Sequence, residues 1–423
     1  MIELPAEFIQ RMSKIAGFEE FLKSYEKPPV RAIRVNTLKI SVEDFRKISP
    51  FELEQVPWEK NGFYVNSENL GKTVLHAAGL YYVQEPSASS VVPELEIKAG
   101  ERVLDLCAAP GGKSTQIAQY LQGEGILVSN EIDYDRCKIL KSNLERLGVK
   151  NVAVTCCTPL KIAESFPEYF DKVLVDAPCS GEGMFKKEEN AIKEWSEENI
   201  KRCAQRQAEI LNCAAQALKG GGRMVYSTCT FAPEEDEEQI ASFLKSHPEF
   251  KLIKMQKLLP HEVKGEGHFF AVMQKKNGAR AEVKSRKPVI KESTLKLYRE
   301  WEAQTLNIKA ENIYCDNGRV YSYLNDLPEV HGLHIDEGVY FGETCDGKRF
   351  EPSHRIAMCL KADEVKHIEV DEATALKSLR GLTFDCAERE KGWRVVSFMG
   401  YPLGWCKAVN GVAKNHLPKG LRI

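Results

Sequence analysis

The chain lacks the marks of several protein classes. It has no Cys-x-x-Cys pair among its thirteen cysteines, and Cys156 and Cys157 are adjacent, a poor geometry for a zinc site or a bridge. His331 and His334 have no thiol or third ligand nearby in sequence, so no metal is expected. Its apolar runs are too short to span a bilayer, which excludes a helical membrane protein. The first residues, "MIELPAEFIQ", carry acids and no apolar signal core, so no export is implied. Reduced thiols in the cytoplasm are the simplest reading. No internal repeat or low-complexity tract occurs, and no global basic field announces nucleic acid, since the formal net charge is −2.

What is present is a chain of 423 residues, long enough for about three domains. Its basic residues are unevenly placed. They gather at 31–40 ("RAIRVNTLKI"), at 275–299 (including "KSRKP") and at 406–423, while acids cluster in "PEEDEE" at 233–238. Basic patches in a near-neutral chain suit a protein that grips phosphates on one side, although any one patch alone reads as a solvated face.

Residues 1–95 mix short helical and extended patterns. From 101 onward strands and helices alternate: strands at 102–107, 125–131, "VAVTCC", "KVLVDA" and "RMVYSTC", and helices at 113–121, 133–148 and about 196–218. A further helix is expected over "EEDEEQIASFLKSH", with acids in its first turn where the helix dipole favours them. This alternation predicts a parallel sheet covered by helices, with ligands at the C-terminal strand ends. The loops 107–112, 176–183 and 229–233 then share one rim. Residues 279–329 read as a basic linker region. From 330 to 423 short strands and turns indicate a small β-rich domain.

The segment "DLCAAPGGK" joins a strand to a helix, and Gly111 and Gly112 permit close backbone approach to a ligand. Glu131 ends the next strand, 20 residues after Gly111, where a ribose diol is usually held. The glycine that a triphosphate loop requires is missing. An adenosine cofactor without a required polyphosphate fits, S-adenosylmethionine first and a dinucleotide second.

Asp176 ends an apolar run in "LVDAPCSGEGMF", with Cys179 three residues on, and Cys229 follows the strand "MVYST". Carbon 5 of cytosine is a poor nucleophile. A thiolate that adds at carbon 6 makes the ring enamine-like, carbon 5 then takes a methyl group, a base removes the carbon 5 proton, and the thiol leaves. A carboxylic group near ring nitrogen 3 and the exocyclic amine stabilises the adduct. Asp176, Cys179 and Cys229 supply this set. The residues alone do not order the two thiols. The remaining cysteines read as small buried hydrophobes by default.

Together "CAAPGGK" (107–113), "DAPCSGEG" (176–183) and "YSTCT" (226–230) resemble signatures of the Sun-type RNA cytosine-C5 methyltransferases. "RAIRVNTLK" and "YVQEPSA" resemble N-terminal elements of that family. "GRVYSYL", "FEPSH" and "PLGWCKAVNGVAKNHLPKGLR" resemble the C-terminal part of its small-subunit rRNA methyltransferase F branch. The resemblance implies a Rossmann-like methyltransferase domain (96–278), an N-terminal α+β RNA-binding region (1–95) and a C-terminal PUA-like RNA-binding domain (330–423). It implies that Cys107, Ala108, Ala109, Pro110, Gly111, Gly112 and Lys113 form the S-adenosylmethionine loop and that Glu131 holds the ribose. Asp176 would lie between cofactor and base. Cys229 would be the nucleophile, and Cys179 would assist product release. Where the family often has Asp or Asn after the third strand, this chain has "TCCTPLK", with Thr158 the nearest match.

The target base must leave its stack, at a cost of a few kcal/mol that backbone contacts offset. Arg31, Arg34, the 275–299 cluster, Lys407 and Lys414 are candidate phosphate contacts. Phe185, Trp195 and Trp405 are candidate stacking platforms, with core packing as the competing role. The expectation is a monomeric cytoplasmic enzyme that methylates cytosine in 16S rRNA. A transfer RNA methyltransferase of the same chemistry and a non-catalytic RNA-binding assembly factor are the alternatives.

Overall fold

The computed structural model describes residues 2–278 and 288–423. At its centre an eight-stranded sheet is built from β1 (Arg102–Asp105), β2 (Ile126–Asn130), β3 (Val152–Thr155), β4 (Phe170–Asp176), β5 (Leu218–Thr228), β6 (Phe250–Leu258), β7 (His268–Lys275) and β8 (Ile335–Glu337). The spatial order is β6-β7-β5-β4-β1-β2-β3-β8. Strands β1 to β5 run parallel, as the alternation predicts. They are buried on both faces by α1 (Gly112–Leu121), α2 (Tyr134–Arg146), α3 (Pro159–Ser165), α4 (Glu197–Ala217) and α5 (Glu237–Ser246). The order reverses between β4 and β1, which opens a crevice at their C-terminal ends.

The sheet is mixed rather than purely parallel. β7 pairs antiparallel with β5, and β6 with β7, closing one edge with a hairpin. On the other edge β8 pairs antiparallel with β3. β8 lies within the segment expected as a separate β-rich domain, so that segment also completes the central sheet. The stretch expected as a linker is largely built structure. Residues 279–287, with most of "KSRKP", lie outside the described residues, but Glu292–Thr305 forms a helix that buries Tyr298 and Trp301. The strands Ile313–Asp316 and Arg319–Ser322 then join Tyr340–Cys345 and Arg349–Pro352 in a four-stranded sheet.

The N-terminal region has a four-stranded antiparallel sheet, ordered Glu54–Gln55, Gly62–Tyr64, Ala32–Val35, Tyr81–Val83. Its core is continuous with that of the last, five-stranded sheet: Ile33, Phe45 and Tyr81 share one apolar cluster with Leu379, Val396 and Leu403. The helices Ala6–Met12 and Phe18–Ser24 instead send Phe8 and Phe21 into a cluster with Phe185, Trp195 and Phe231, directly behind the loops after β4 and β5. Among the described residues no helix is long and apolar enough to cross a membrane.

Burial revises several sequence expectations. Arg34 is 1% exposed and faces the protein interior, so it is not a phosphate contact. Phe185, Trp195 and Trp405 are all buried. Phe185 packs edge-on against Phe8, Trp195 donates its indole N–H to Glu182, and Trp405 donates to the Ser353 carbonyl. These rings are core rather than stacking platforms. The acids of "PEEDEE" divide: Glu237 and Glu238 open α5, whereas Glu235 and Asp236 are fully buried before it.

Candidate active site

The loop after β1 is held from behind. Ala108 N–H donates to the Asn130 carbonyl, Arg136 donates to the Ala109 carbonyl, and Asn143 donates to the Pro110 carbonyl. Gly111 has φ 109°, a left-handed conformation that glycine favours, and caps α1. A Cβ on Gly112 would lie 3.2 Å from the Tyr82 ring, so the N-terminal sheet packs directly on the loop. Arg34 braces it further, donating to the Gly112 carbonyl at 2.8 Å and to Thr115 Oγ1 at 2.7 Å.

Lys113 and Asp176 join this loop to the next one, with Nζ 2.8 Å from Oδ2. Burial disfavours both charges. Each nevertheless sustains the other: Lys113 is held above the usual lysine range by Asp176, and Asp176 below the usual carboxylate range by Lys113 and by hydrogen bonds. Ser227 Oγ donates to Asp176 Oδ1 at 2.8 Å. Buried His268 places Nε2 3.8 Å from the same oxygen. Burial, and then the Lys113 charge, push its imidazole down to about 3 against the pull of Asp176, so the ring is neutral.

The two thiols meet. Cys179 Sγ and Cys229 Sγ are 3.2 Å apart although 50 positions separate them in sequence. Between their loops, Gly183 N–H donates to the Cys229 carbonyl at 2.8 Å, the Ser180 and Thr230 hydroxyls are 2.8 Å apart, and Phe231 N–H donates to the Glu182 carboxylate at 2.8 Å. The thiol of Cys179 is pushed well above the usual range, first by its hydrogen bond with Cys229 and then by burial. Either sulfur can donate to the other across this contact.

Two buried acids lie at the C-terminal ends of β1 and β2. Glu131 is buried, with its carboxylate accepting from the Asp133 N–H at 3.1 Å. Asp105 Oδ1 is buried without a protein partner, and burial pushes this carboxyl up to about 7. Buried acceptors at adjoining strand ends fit a ligand with hydroxyl and ammonium donors, so S-adenosylmethionine suits this site. Thr158 stands after β3, where its hydroxyl caps α3 by accepting from Lys161 N–H at 3.3 Å.

Other expected residues lie elsewhere. Arg31 is exposed in the N-terminal region, donating to the Ser67 carbonyl. Lys407 and Lys414 are direct neighbours on paired strands of the last sheet, with the Lys407 ammonium 5.6 Å over the Trp393 ring. Ser227 and His268 escaped the sequence reading. Ser227 sits beside the Thr-Cys signal, but His268 comes from a hairpin with no motif of its own.

Fold and site define the class: this is a Rossmann-like methyltransferase. A family model for the 16S rRNA methyltransferase RsmB/F matches residues 92–276. The N-terminal domain of 16S rRNA methyltransferase RsmF matches 4–86, and the methyltransferase RsmF PUA domain matches 365–423. Ribosomal RNA small subunit methyltransferase F of Vibrio vulnificus is 33% identical over 467 aligned positions, covering 99% of this chain and 98% of that one. Its namesake from Aeromonas salmonicida is 32% identical, covering 99% and 97%. A solved methyltransferase homolog protein from Pyrococcus horikoshii has a TM-score of 0.59 and 33% identity over 65% of this chain and 96% of its own. NSun6 from Pyrococcus horikoshii, solved with SFG, shares the fold with a TM-score of 0.59 and 22% identity, over 65% of this chain and 99% of its own. The chain belongs to the 16S rRNA methyltransferase RsmB/F family, a family of S-adenosylmethionine-dependent rRNA methyltransferases.

Proposed function

We propose that the chain methylates carbon 5 of cytosine in 16S rRNA through a covalent adduct with Cys229, acting as a monomer in the cytoplasm. The observation that carries this reading is the 3.2 Å approach of two thiols beside the Asp176 carboxylate on the cofactor rim. Two thiols this close do not both ionise readily. We assign the attack to Cys229, as the resemblance of "YSTCT" to the family's Thr-Cys signature implies.

S-adenosylmethionine, when bound, supplies an electrophilic methyl group. Loop 107–113, Glu131 and Asp105 would hold it, with Thr158 a further candidate contact beyond β3. Cys229 adds to carbon 6 of the flipped base, forming an S–C bond and making carbon 5 nucleophilic. Asp176, ionised, accepts from the exocyclic amine and orients the ring. After carbon 5 bears the methyl group, Cys179 as thiolate takes the carbon 5 proton, the C–H electron pair re-forms the C5–C6 double bond, the S–C bond breaks, and Cys229 leaves as thiolate. Cys179 gives its own proton to solvent before this step and ends it as a thiol, so the pair returns to its starting state.

The N-terminal region (1–95) and the C-terminal part (330–423) serve RNA capture. Arg31, the neighbouring Lys407 and Lys414, and the 275–299 cluster, part of which lies outside the described residues, are the phosphate contacts that remain after Arg34 is removed from the set.

The test is methyl transfer from tritiated cofactor to 16S rRNA, with RNA adducts resolved on denaturing gels. Cys229→Ala should lose both methylation and adduct, and Cys179→Ala should accumulate adduct. A Cys229→Ala protein that still forms the adduct overturns the assignment.

A further inference from the structure

Glu235 and Asp236 lie on the turn between β5 and α5, both fully buried. Glu235 accepts from Ser180 N–H at 3.0 Å and from Gln207 Nε2 at 2.7 Å. The same Gln207 nitrogen donates to the Pro178 carbonyl at 3.0 Å. The backbone on both sides of Cys179 is therefore held by one carboxylate, directly at Ser180 and through Gln207 at Pro178. Asp236 accepts from Thr228 Oγ1 at 2.6 Å, and Thr228 immediately precedes Cys229. Lys257 pairs with Asp236 at 3.0 Å. Tyr226 OH donates to the Glu235 carbonyl at 2.7 Å, tying the dipeptide back to β5.

Burying one carboxylate is expensive, and burying two adjacent ones is more so. Burial pushes the Glu235 carboxyl up to about 7 even with its hydrogen bonds. A turn alone needs neither acid. Each acid has taken one thiol-bearing segment as its partner, and the two acids are consecutive, so the relative placement of the segments is fixed through one peptide unit.

We propose that Glu235 and Asp236 are positioning residues for the two thiols, Glu235 aligning Cys179 for release and Asp236, through Thr228, aligning Cys229 for attack. This rests on the proposed roles of the two cysteines. A misplacement of about 1 Å at a reacting group costs on the order of a hundredfold in rate, so each arm should govern the step its own thiol performs.

Single-turnover reactions on 16S rRNA transcribed in vitro separate adduct formation from product release. Thr228→Val removes the hydroxyl held by Asp236 and leaves both acids in place. It should slow adduct formation by about tenfold or more without slowing release, and Thr228→Ser should restore it. Glu235→Leu removes the oxygen that accepts from both Ser180 N–H and Gln207 Nε2, and Gln207→Leu removes the arm to Pro178. Both should form adduct at the normal rate and release it about tenfold more slowly or worse. Equal slowing of both steps in all variants, or no rescue by Thr228→Ser, overturns the proposal. Cys229→Ala and Cys179→Ala run alongside. If these two exchange their expected phenotypes and the arm variants exchange theirs, the thiol assignment falls while the positioning stands.

Discussion

Lys113 Nζ lies 2.8 Å from Asp176 Oδ2, so an ion pair spans the crevice and ties the loop after β1 to the loop that carries Cys179. Lys113 is 10% exposed at its side chain and Asp176 29%, so the lysine is the more deeply buried partner. Removing one member of a buried pair leaves the other uncompensated. Lys113→Met should therefore cost about 3 kcal/mol of stability and raise the carboxyl pKa of Asp176. The double variant Lys113→Met, Asp176→Asn should recover part of that stability but no methyl transfer. Urea unfolding and the tritium assay on wild type, Lys113→Met, Asp176→Asn and the double variant check this. Additive stability losses would show that the pair is not coupled.

Arg34 gives a second prediction. Its guanidinium is buried against Gln84, the Gly112 carbonyl and Thr115. Burial pushes its pKa down to about 10, still a cation at neutral pH. Arg34→Met should lower stability by about 3 kcal/mol and raise the cofactor KM, because three acceptors lose their donor. The dependence of RNA affinity on salt should be unchanged, since a phosphate contact would reduce the slope by about one. By contrast, Lys414→Ala should reduce that slope and leave the cofactor KM alone. Filter binding across a salt series distinguishes the two.

Arg34 also marks the limit of what the sequence made legible. The alternation from 101 to 229 was readable because parallel strands are continuous apolar runs and their ligand loops follow strand ends. That placed Asp176, Cys179 and Cys229 on one rim. The parts that were missed depend on distant partners. Arg34 meets Thr115 across 81 positions, and a basic residue looks alike in sequence whether it faces phosphate or protein. Strand β6 is exposed along most of its length, so it lacks the apolar pattern of a strand. Strand β8 is three residues long and gains its identity from pairing with β3. Glu235 and Asp236 sat in a run of acids that resembles a solvated face, and only the turn before α5 takes them inside.

Gly183 gives a third prediction. A Cβ there would stand 3.0 Å from the Cys229 carbonyl and 3.2 Å from the Glu266 carbonyl. Both are backbone atoms and cannot swing aside as a side chain would. Gly183→Ala should push apart the two loops that bring the thiols together. The expected result is a stability loss of about 1–3 kcal/mol with a larger fall in activity than stability alone explains. Circular dichroism melting and single-turnover adduct formation measure the two effects. Normal adduct kinetics in a destabilised protein would show that the loop contact does not set thiol geometry.

His268 gives a pH prediction. Its ring is buried and pushed down to about 3, so its approach to Asp176 is not a charged pair at neutral pH. An ordinary histidine protonates near 6.5 in the unfolded chain. Between the two values the unfolded state binds one more proton than the folded state, and stability falls as pH falls. The contribution is fully present above about 6.5 and is lost progressively as pH drops toward 3. Wild-type protein should therefore lose more stability between pH 7.5 and 5 than His268→Gln does, as read from urea midpoints. The His268 ring signals in a pH-resolved NMR series should stay flat over the same range. A midpoint near 6 would make the ring a cation facing Asp176, and Asp176 would then have two positive partners rather than Lys113 alone.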